Sequence, residues 1–282
     1  KLQDQCENHR VLETLLGVGA WDDPVSFGAR RIRDTLCQLS PQTIAAIDDA
    51  VVRCGQELDG EAAKSVRADS FVVETNIHYP TESSLIGDGM RKVIPLCVKL
   101  ADEIGAAGWR QGDHLLKRIK EHVRQIARIC ASKSPKAQAL QAPAYGRLLT
   151  RAAAMLDRAE ALVQQAQADE SSVAAVLLAS QITCWMQLTR QVCDTAHRRV
   201  ILQEQVPNCD KLFSLFETHT QLYRRGKAGV AQQFGRLVLV FEDGAGFISH
   251  YHVLDRNAGD ADVVVEQTRA AQRKHRGQIQ TA

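Results

Sequence analysis

The sequence predicts an α/β protein whose sheet is interrupted by a large all-helical insertion. Three observations lead to this. "SFVVETNIHY", residues 70–79, reads as a strand beginning at Asp69. Residues 84–205 keep a 3.6-residue apolar period almost throughout. A second strand-rich segment then runs from 206 to 282. Apolar strands on either side of a helical block need each other to form a sheet. The expected organisation is an N-terminal helical region over 1–66, one α/β unit from 67–83 and 206–282, and the insertion over 84–205.

The first region is justified by helix signals. "SFGARRIRDTLCQL" sets Phe27, Ile32, Leu36 and Leu39 near one face. Ser40-Pro41 is a cap followed by proline at the first helical position. The helix it opens, over about 41–58, carries Ile44, Ile47, Val51 and Leu58 as its expected buried stripe. Two helices around a tight turn fit either a packing module or a DNA-binding one. The insertion repeats the pattern four times. Ile86, Met90, Val93, Ile94 and Cys97 mark the first helix. Leu115, Ile119, Val123, Ile126 and Cys130 mark the second, and Leu148, Ala152, Met155, Ala159 and Leu162 the third. Val173, Val176, Leu177, Cys184 and Leu188 mark the fourth. Gly105–Gly108, Ser134-Pro135 and Asp169–Ser171 separate them. Short turns predict antiparallel packing as a bundle or arm.

The last segment changes period. "FGRLVLVFEDGAGFISHYHVLD" reads as two strands around a turn at Asp243–Gly246. Its unbroken run Leu237–Phe241 predicts cover on both faces. A loop is expected over 257–260. "ADVVVEQTRAAQRKH" reads as a helix, and "GQIQTA" as the start of another strand.

Composition narrows the function classes. Net charge is +2, so no extreme basic tail exists, although a local basic face can. No run of about 18 apolar residues occurs, so no membrane span is expected. The eight cysteines are scattered without a C-x-x-C pair, which predicts reduced, mostly buried thiols rather than a zinc or disulfide set. No Gly-rich phosphate loop and no H-E-x-x-H is present. The first residue is Lys, and the expectation is a fragment or processed chain.

Asp69 at the head of a strand raises a chemical question. Phosphodiester cleavage by two metal ions needs carboxylates converging on one point, and a central strand holds such a ligand rigidly. "DSFVVETNIHYPTESSL", followed by a helical block, resembles the first catalytic segment of bacterial insertion-sequence transposases of the DDE class. "LFSLFETHTQLYRRGKAGVAQQFGRLVLV" resembles the strand that follows the Gly-Lys-Ala linker in that family. The Tyr79-Pro80-Thr81 segment and the linker occur in that order and separation. Glu82 stands where the family usually has Asp, and Arg236 where it has Lys.

The resemblance implies a ribonuclease H-like mixed sheet, interrupted by the helical insertion between strands one and two. It implies Asp69 as first catalytic acid and ligand for Mg2+. The family's second acid, at the end of strand four, and its third, on a later helix, have no matching motif here. "GQIQTA" corresponds to the start of strand four, so the chain is expected to stop before the second acid. The expectation is therefore that this chain alone does not cut or join DNA. The implied partners are DNA, as terminal inverted repeats and target, and a second copy in a homodimer, with no membrane. The implied location is the bacterial cytoplasm, at the nucleoid. A rival reading is a non-catalytic helical remnant that binds DNA or dimerises.

For DNA contact the candidates are His219, Arg224, Arg225 and Lys227 in the linker beside Tyr223, together with Arg236. The second insertion helix adds Lys117, Arg118, Lys120, Arg124 and Arg128. His78 alternates away from Asp69 and is expected to make a structural hydrogen bond at the strand end.

Overall fold

The computed structural model describes residues 2–17, 27–58, 61, 64–168, 172–224, 231–255, 260–274 and 279–281. The chain forms two compact units. One comprises Lys1–Asp69, Leu239–His252 and Asp260–Ala282; the other comprises Ser70–Val238 and Val253–Gly259.

Helices α1 (Leu2–Asn8), α2 (Arg10–Leu15), α3 (Ala29–Leu36) and α4 (Pro41–Leu58) open the first unit. The Ser40 hydroxyl accepts from the Thr43 N–H at 3.1 Å, so the cap forms where Ser-Pro predicts it. The buried face of α4 is not the expected one. Ile44, Ile47, Val51 and Leu58 are exposed, and Val52 and Gly55 are buried. Gly55 explains the choice. A Cβ there would lie 2.6 Å from the Phe247 ring, so glycine admits that ring against the helix.

Strand β1 (Val66–Glu74) lies in a four-stranded antiparallel sheet of order β1-β3-β2. The other strands are β2 (Gln221–Tyr223), β3 (Gln233–Asp243) and β4 (Ile248–Val253), and β4 also pairs with β3. The β1–β3 register is fixed by Thr75 N–H donating to Phe234 C=O at 2.9 Å and by the Arg67–Glu242 ion pair at 2.7 Å. Gly235 is required there, because a Cβ would fall 2.9 Å from the Glu74 Cα and closer still to the Val73 carbonyl. The turn at Asp243–Gly246 forms as predicted. Asp243 Oδ1 accepts from the Ala245 and Phe247 N–H groups, and Gly246 takes φ +86°. Cover on both faces of β3 is not found. Leu237, Leu239 and Phe241 are buried, whereas Val238 and Val240 are half-buried. The expected loop over 257–260 lies almost wholly outside the described residues, and α10 (Asp260–Lys274) follows it. Ser65 and Thr281 then form a parallel bridge, with Val66 N–H donating to Thr281 C=O at 3.0 Å.

The core of the second unit is helical. It contains α5 (Glu82–Glu103), α6 (Gly112–Ala131), short α7 (Pro135–Ala139), α8 (Gln141–Ala168) and α9 (Val173–Ala196). Among the described residues, no strand interrupts this run. The predicted break over 105–108 separates α5 from α6, and Ser134-Pro135 starts α7; the break at 169–171 falls outside the described residues. Thr81 and Ser84 form a reciprocal capping box that starts α5. On α5 the predicted stripe is right: Ile86, Met90, Val93, Ile94 and Cys97 are fully buried. On α8 Leu148, Ala152, Met155, Ala159 and Leu162 are buried as expected. On α9 the other face turns inward. Val173, Val176 and Leu177 are exposed, while Ala175, Ala179, Ile182, Met186 and Val192 are buried. Small side chains let α5 approach; a Cβ at Gly89 would sit 2.8 Å from Thr189 Cγ2. The larger aliphatics are excluded from so close a seam. Of the cysteines, Cys97 is buried, but Cys37, Cys54, Cys130, Cys184 and Cys209 are exposed, against the expectation of mostly buried thiols.

Candidate nucleic-acid interface

Asp69 sits on the outward face of β1. Strand alternation buries Val66, Ser70 and Val72 and leaves Arg67, Asp69, Phe71 and Val73 exposed. The Asp69 charge is felt by Arg67, whose guanidinium is raised above its usual range first by its hydrogen bond to Glu242 and then by the charge of that carboxylate. Among the described residues, no group of three His, Cys, Asp or Glu side chains gathers to hold a metal. One carboxylate beside a guanidinium does not fit a pair of Mg2+ ions, each of which needs oxygen ligands in octahedral array.

The linker cations divide. Arg225 and Lys227 lie outside the described residues. His219 stands 3.6 Å from Glu217. Arg236 is 22% exposed and spends its charge on Asp255 at 3.2 Å, so it is not an open cation. Arg224 is exposed and lines a cavity of about 200 Å3.

That cavity gathers the Tyr79-Pro80-Thr81-Glu82 segment. Its other charged lining comes from Arg199 and Lys211. Arg199 belongs to a π-helical turn, His197–Ile201, that directly follows α9. Such turns re-aim side chains relative to a regular helix. Here Arg198 reaches Glu204 at 2.8 Å, and Arg199 reaches Glu82, also at 2.8 Å. The Glu82 side chain is only 12% exposed. Lys211 has its ammonium pushed down first by burial, then by Arg199, with Arg224 adding to the effect. Three cations thus face one carboxylate that is already paired. Tyr79 is 67% exposed; it stands edge-on to Phe234 at 5.5 Å and donates to Gln232 at 3.1 Å. Sequence reasoning missed Arg199 and Lys211. A nearly buried Glu at a helix start needs a cation, and Arg198-Arg199 after the fourth helix was the available signal.

A second basic feature lies between α5 and α6, a groove of about 730 Å3. Leu116, Ile119 and Val123 form its apolar lining, and Arg91, Lys117, Lys120 and Arg124 add positive charge. Buried Asp88 is held there by Arg91 and by His78 Nε2 at 2.7 Å. His78 does make a structural hydrogen bond, but past the end of β1 at Glu74 and to α5 rather than at the strand end. That bond raises the imidazole above its ordinary range, against a smaller opposing effect of burial. Lys117, Arg118, Lys120, Arg124 and Arg128 are all exposed.

Comparison with protein families, curated proteins and solved structures returned no match. Among the described residues no helix is long and apolar enough to cross a membrane.

Proposed function

We propose that this chain carries the DNA-binding part and the first acid of a DDE-class transposase, and that by itself it binds DNA without cutting it. The observation that carries the reading is the parallel bridge between Ser65 and Thr281. Two-metal chemistry needs a second acid beside the first, and a strand running parallel and adjacent to β1 is where such an acid converges with Asp69. The chain order agrees: strand, helical block, strands, helix, then the isolated bridge at Thr281. That order supports a ribonuclease H-like sheet with a helical insertion. On this reading Mg2+ serves the assembled site, the partners are terminal repeats and target DNA, and the protein works at the bacterial nucleoid. On this reading the exposed α6 cations neutralise phosphates.

The rival is a non-catalytic helical protein that binds DNA or dimerises. It is favoured by the surroundings of Asp69, where among the described residues no group of three His, Cys, Asp or Glu side chains gathers. The transposase reading and a DNA-binding rival both predict phosphate contacts; they differ in preference for an element's terminal repeat over random duplex.

The test is fluorescence anisotropy with both duplexes across about 50 to 200 mM salt, where each phosphate contact contributes a slope near −0.9 in log K against log salt. The expected result is steep salt dependence, a shallower slope in Lys117→Gln/Lys120→Gln, and tighter binding to the terminal repeat. Absence of binding at the lowest salt sinks the transposase reading and the DNA-binding form of the rival, and leaves only its dimerising form. Equal affinity for the two duplexes leaves the rival standing. Incubation with Mg2+ or Mn2+ should give no cleavage; metal-dependent cleavage that survives Asp69→Ala overturns the assignment of Asp69.

A further inference from the structure

We infer that the cavity bounded by Tyr79, Glu82, Arg199, Lys211 and Arg224 is a binding site for a single phosphoryl group, either free or at the end of a nucleic-acid strand. This goes beyond the transposase reading, because the pocket's chemistry asks for a phosphoryl group whatever carries it. The cations come from separate stretches of chain: Arg199 from the π-turn, Lys211 after the short 3₁₀ turn Asn208–Asp210, and Arg224 just after β2. All three lie within residues 199–224, and the fold sets them against the distant 79–82 segment in one concavity.

Charge is the first argument. Glu82 offsets one cation, and it does so through a direct pair with Arg199 at 2.8 Å. Lys211 reaches the Asn208 side-chain oxygen at 3.3 Å, a neutral acceptor. Arg224 makes no ion pair with any described residue. Gathering three cations around one carboxylate is unfavourable unless an anion completes the group. The depressed Lys211 ammonium reports that repulsion together with burial.

Shape is the second argument. A cavity of about 200 Å3 is several times the roughly 30 Å3 that a water occupies, so it admits a phosphoryl group with some hydration. It is too small to seat a duplex. Donor chemistry agrees with both: guanidinium forks match phosphate oxygens, and a lysine adds a point charge. Tyr79 at the rim offers a ring beside the bound group, which suits the sugar or base of a terminal nucleotide.

The experiment follows phosphate binding by phosphorus NMR and by thermal shift, using the whole chain. The probes are inorganic phosphate and a short single-stranded oligonucleotide with either a 5′-phosphate or a 5′-hydroxyl. Lys211→Gln and Arg224→Gln should each weaken binding of the phosphorylated probes by about tenfold, the loss expected for one charged hydrogen bond. Lys99→Gln on α5, an exposed lysine outside this cavity and outside the α6 groove, should leave it unchanged. Glu82→Gln should tighten binding, a gain that misfolding cannot produce. A response to inorganic phosphate alone assigns the site to free phosphate. A response only to the 5′-phosphorylated strand assigns it to nucleic-acid ends. No binding of either probe overturns the inference, as does binding that is indifferent to Lys211→Gln and Arg224→Gln or weakened in Glu82→Gln. Duplex binding through α6 is measured separately, so the two proposals fail independently.

Discussion

Replacing Gly89 by alanine tests how α5 meets α9. A Cβ at Gly89 would lie 2.8 Å from Thr189 Cγ2 and 3.0 Å from Thr189 Cβ, with the hydroxyl oxygen nearer still. Thr189 is fully buried, and its hydroxyl donates to the Trp185 carbonyl at 2.6 Å, so it cannot simply swing away. Two effects oppose each other. Alanine is a better helix former than glycine by about 1 kcal/mol. Overpacking a tight seam costs about 1–3 kcal/mol, and contacts this short place the cost toward the upper end. The net expectation is a loss of about 1–2 kcal/mol, or several degrees in melting temperature. Thr189→Ala alone should cost about 1 kcal/mol through its small void. The double variant should be more stable than the sum of the two losses, with a coupling of about 1 kcal/mol or more. Urea melts followed by circular dichroism measure all four corners of the cycle. Stabilisation in Gly89→Ala alone would show that only helix propensity matters and that the seam is loose. Strict additivity would show that the two side chains do not meet.

Further outcomes are expected elsewhere. Gly235→Ala should destabilise β1–β3 pairing by about 1–3 kcal/mol, because its neighbour is backbone and cannot rotate away, and hydrogen exchange at Thr75 should accelerate. His78 has a raised folded-state pKa. Its contribution to stability is therefore full below about 6.5, its unfolded value, and is lost as pH rises through the folded value. His122 is lowered, first by burial and then by nearby arginines, so its sign is opposite: its contribution holds above the unfolded value and is lost on acidification. Melts across this range should flatten at the alkaline end in His78→Gln and at the acid end in His122→Gln. Burial pushes the Cys97 and Cys193 thiols up to about 12, so iodoacetamide near neutral pH should label exposed Cys184 and Cys209 and spare these two, as mass spectrometry of peptides would show. Labelling of Cys97 in the folded protein would contradict its burial.

Large aliphatics at helical spacing marked the inward face on α5 and α8 but not on α4 or α9. Ile86 to Cys97 on α5 and Leu148 to Leu162 on α8 announce their buried faces because each apolar stripe is also the inward one. On α9 the inward face is built from Ala175, Ala179 and Thr189, which hydropathy ranks below Val176 and Leu177. Their advantage is thinness against α5, a property of the pair of helices and of neither sequence alone. The same holds on α4, where Gly55 faces inward because of Phe247, which lies almost two hundred residues away in the chain. At the candidate site the Tyr79-Pro80-Thr81-Glu82 segment was legible as a motif. Arg199 and Lys211 were not, because only the π-turn and the fold bring them to Glu82. Asp69 was legible as a strand residue, and alternation along β1 decides its exposure.

The β1–β3 register has a topological consequence. Glu74 and Gln233 are 159 residues apart, yet their side chains hydrogen-bond at 3.2 Å. The helices α5–α9 therefore hang from what is, in outline, a very long hairpin turn. Loop-closure entropy grows only slowly with length, so a stem of this kind tolerates a large cargo at its tip. Helices could be added or trimmed there without changing where the chain leaves β1 or where it rejoins β3. A short reverse turn grafted from Thr75 to Gln232 would span the same gap and would remove β2 along with the helices.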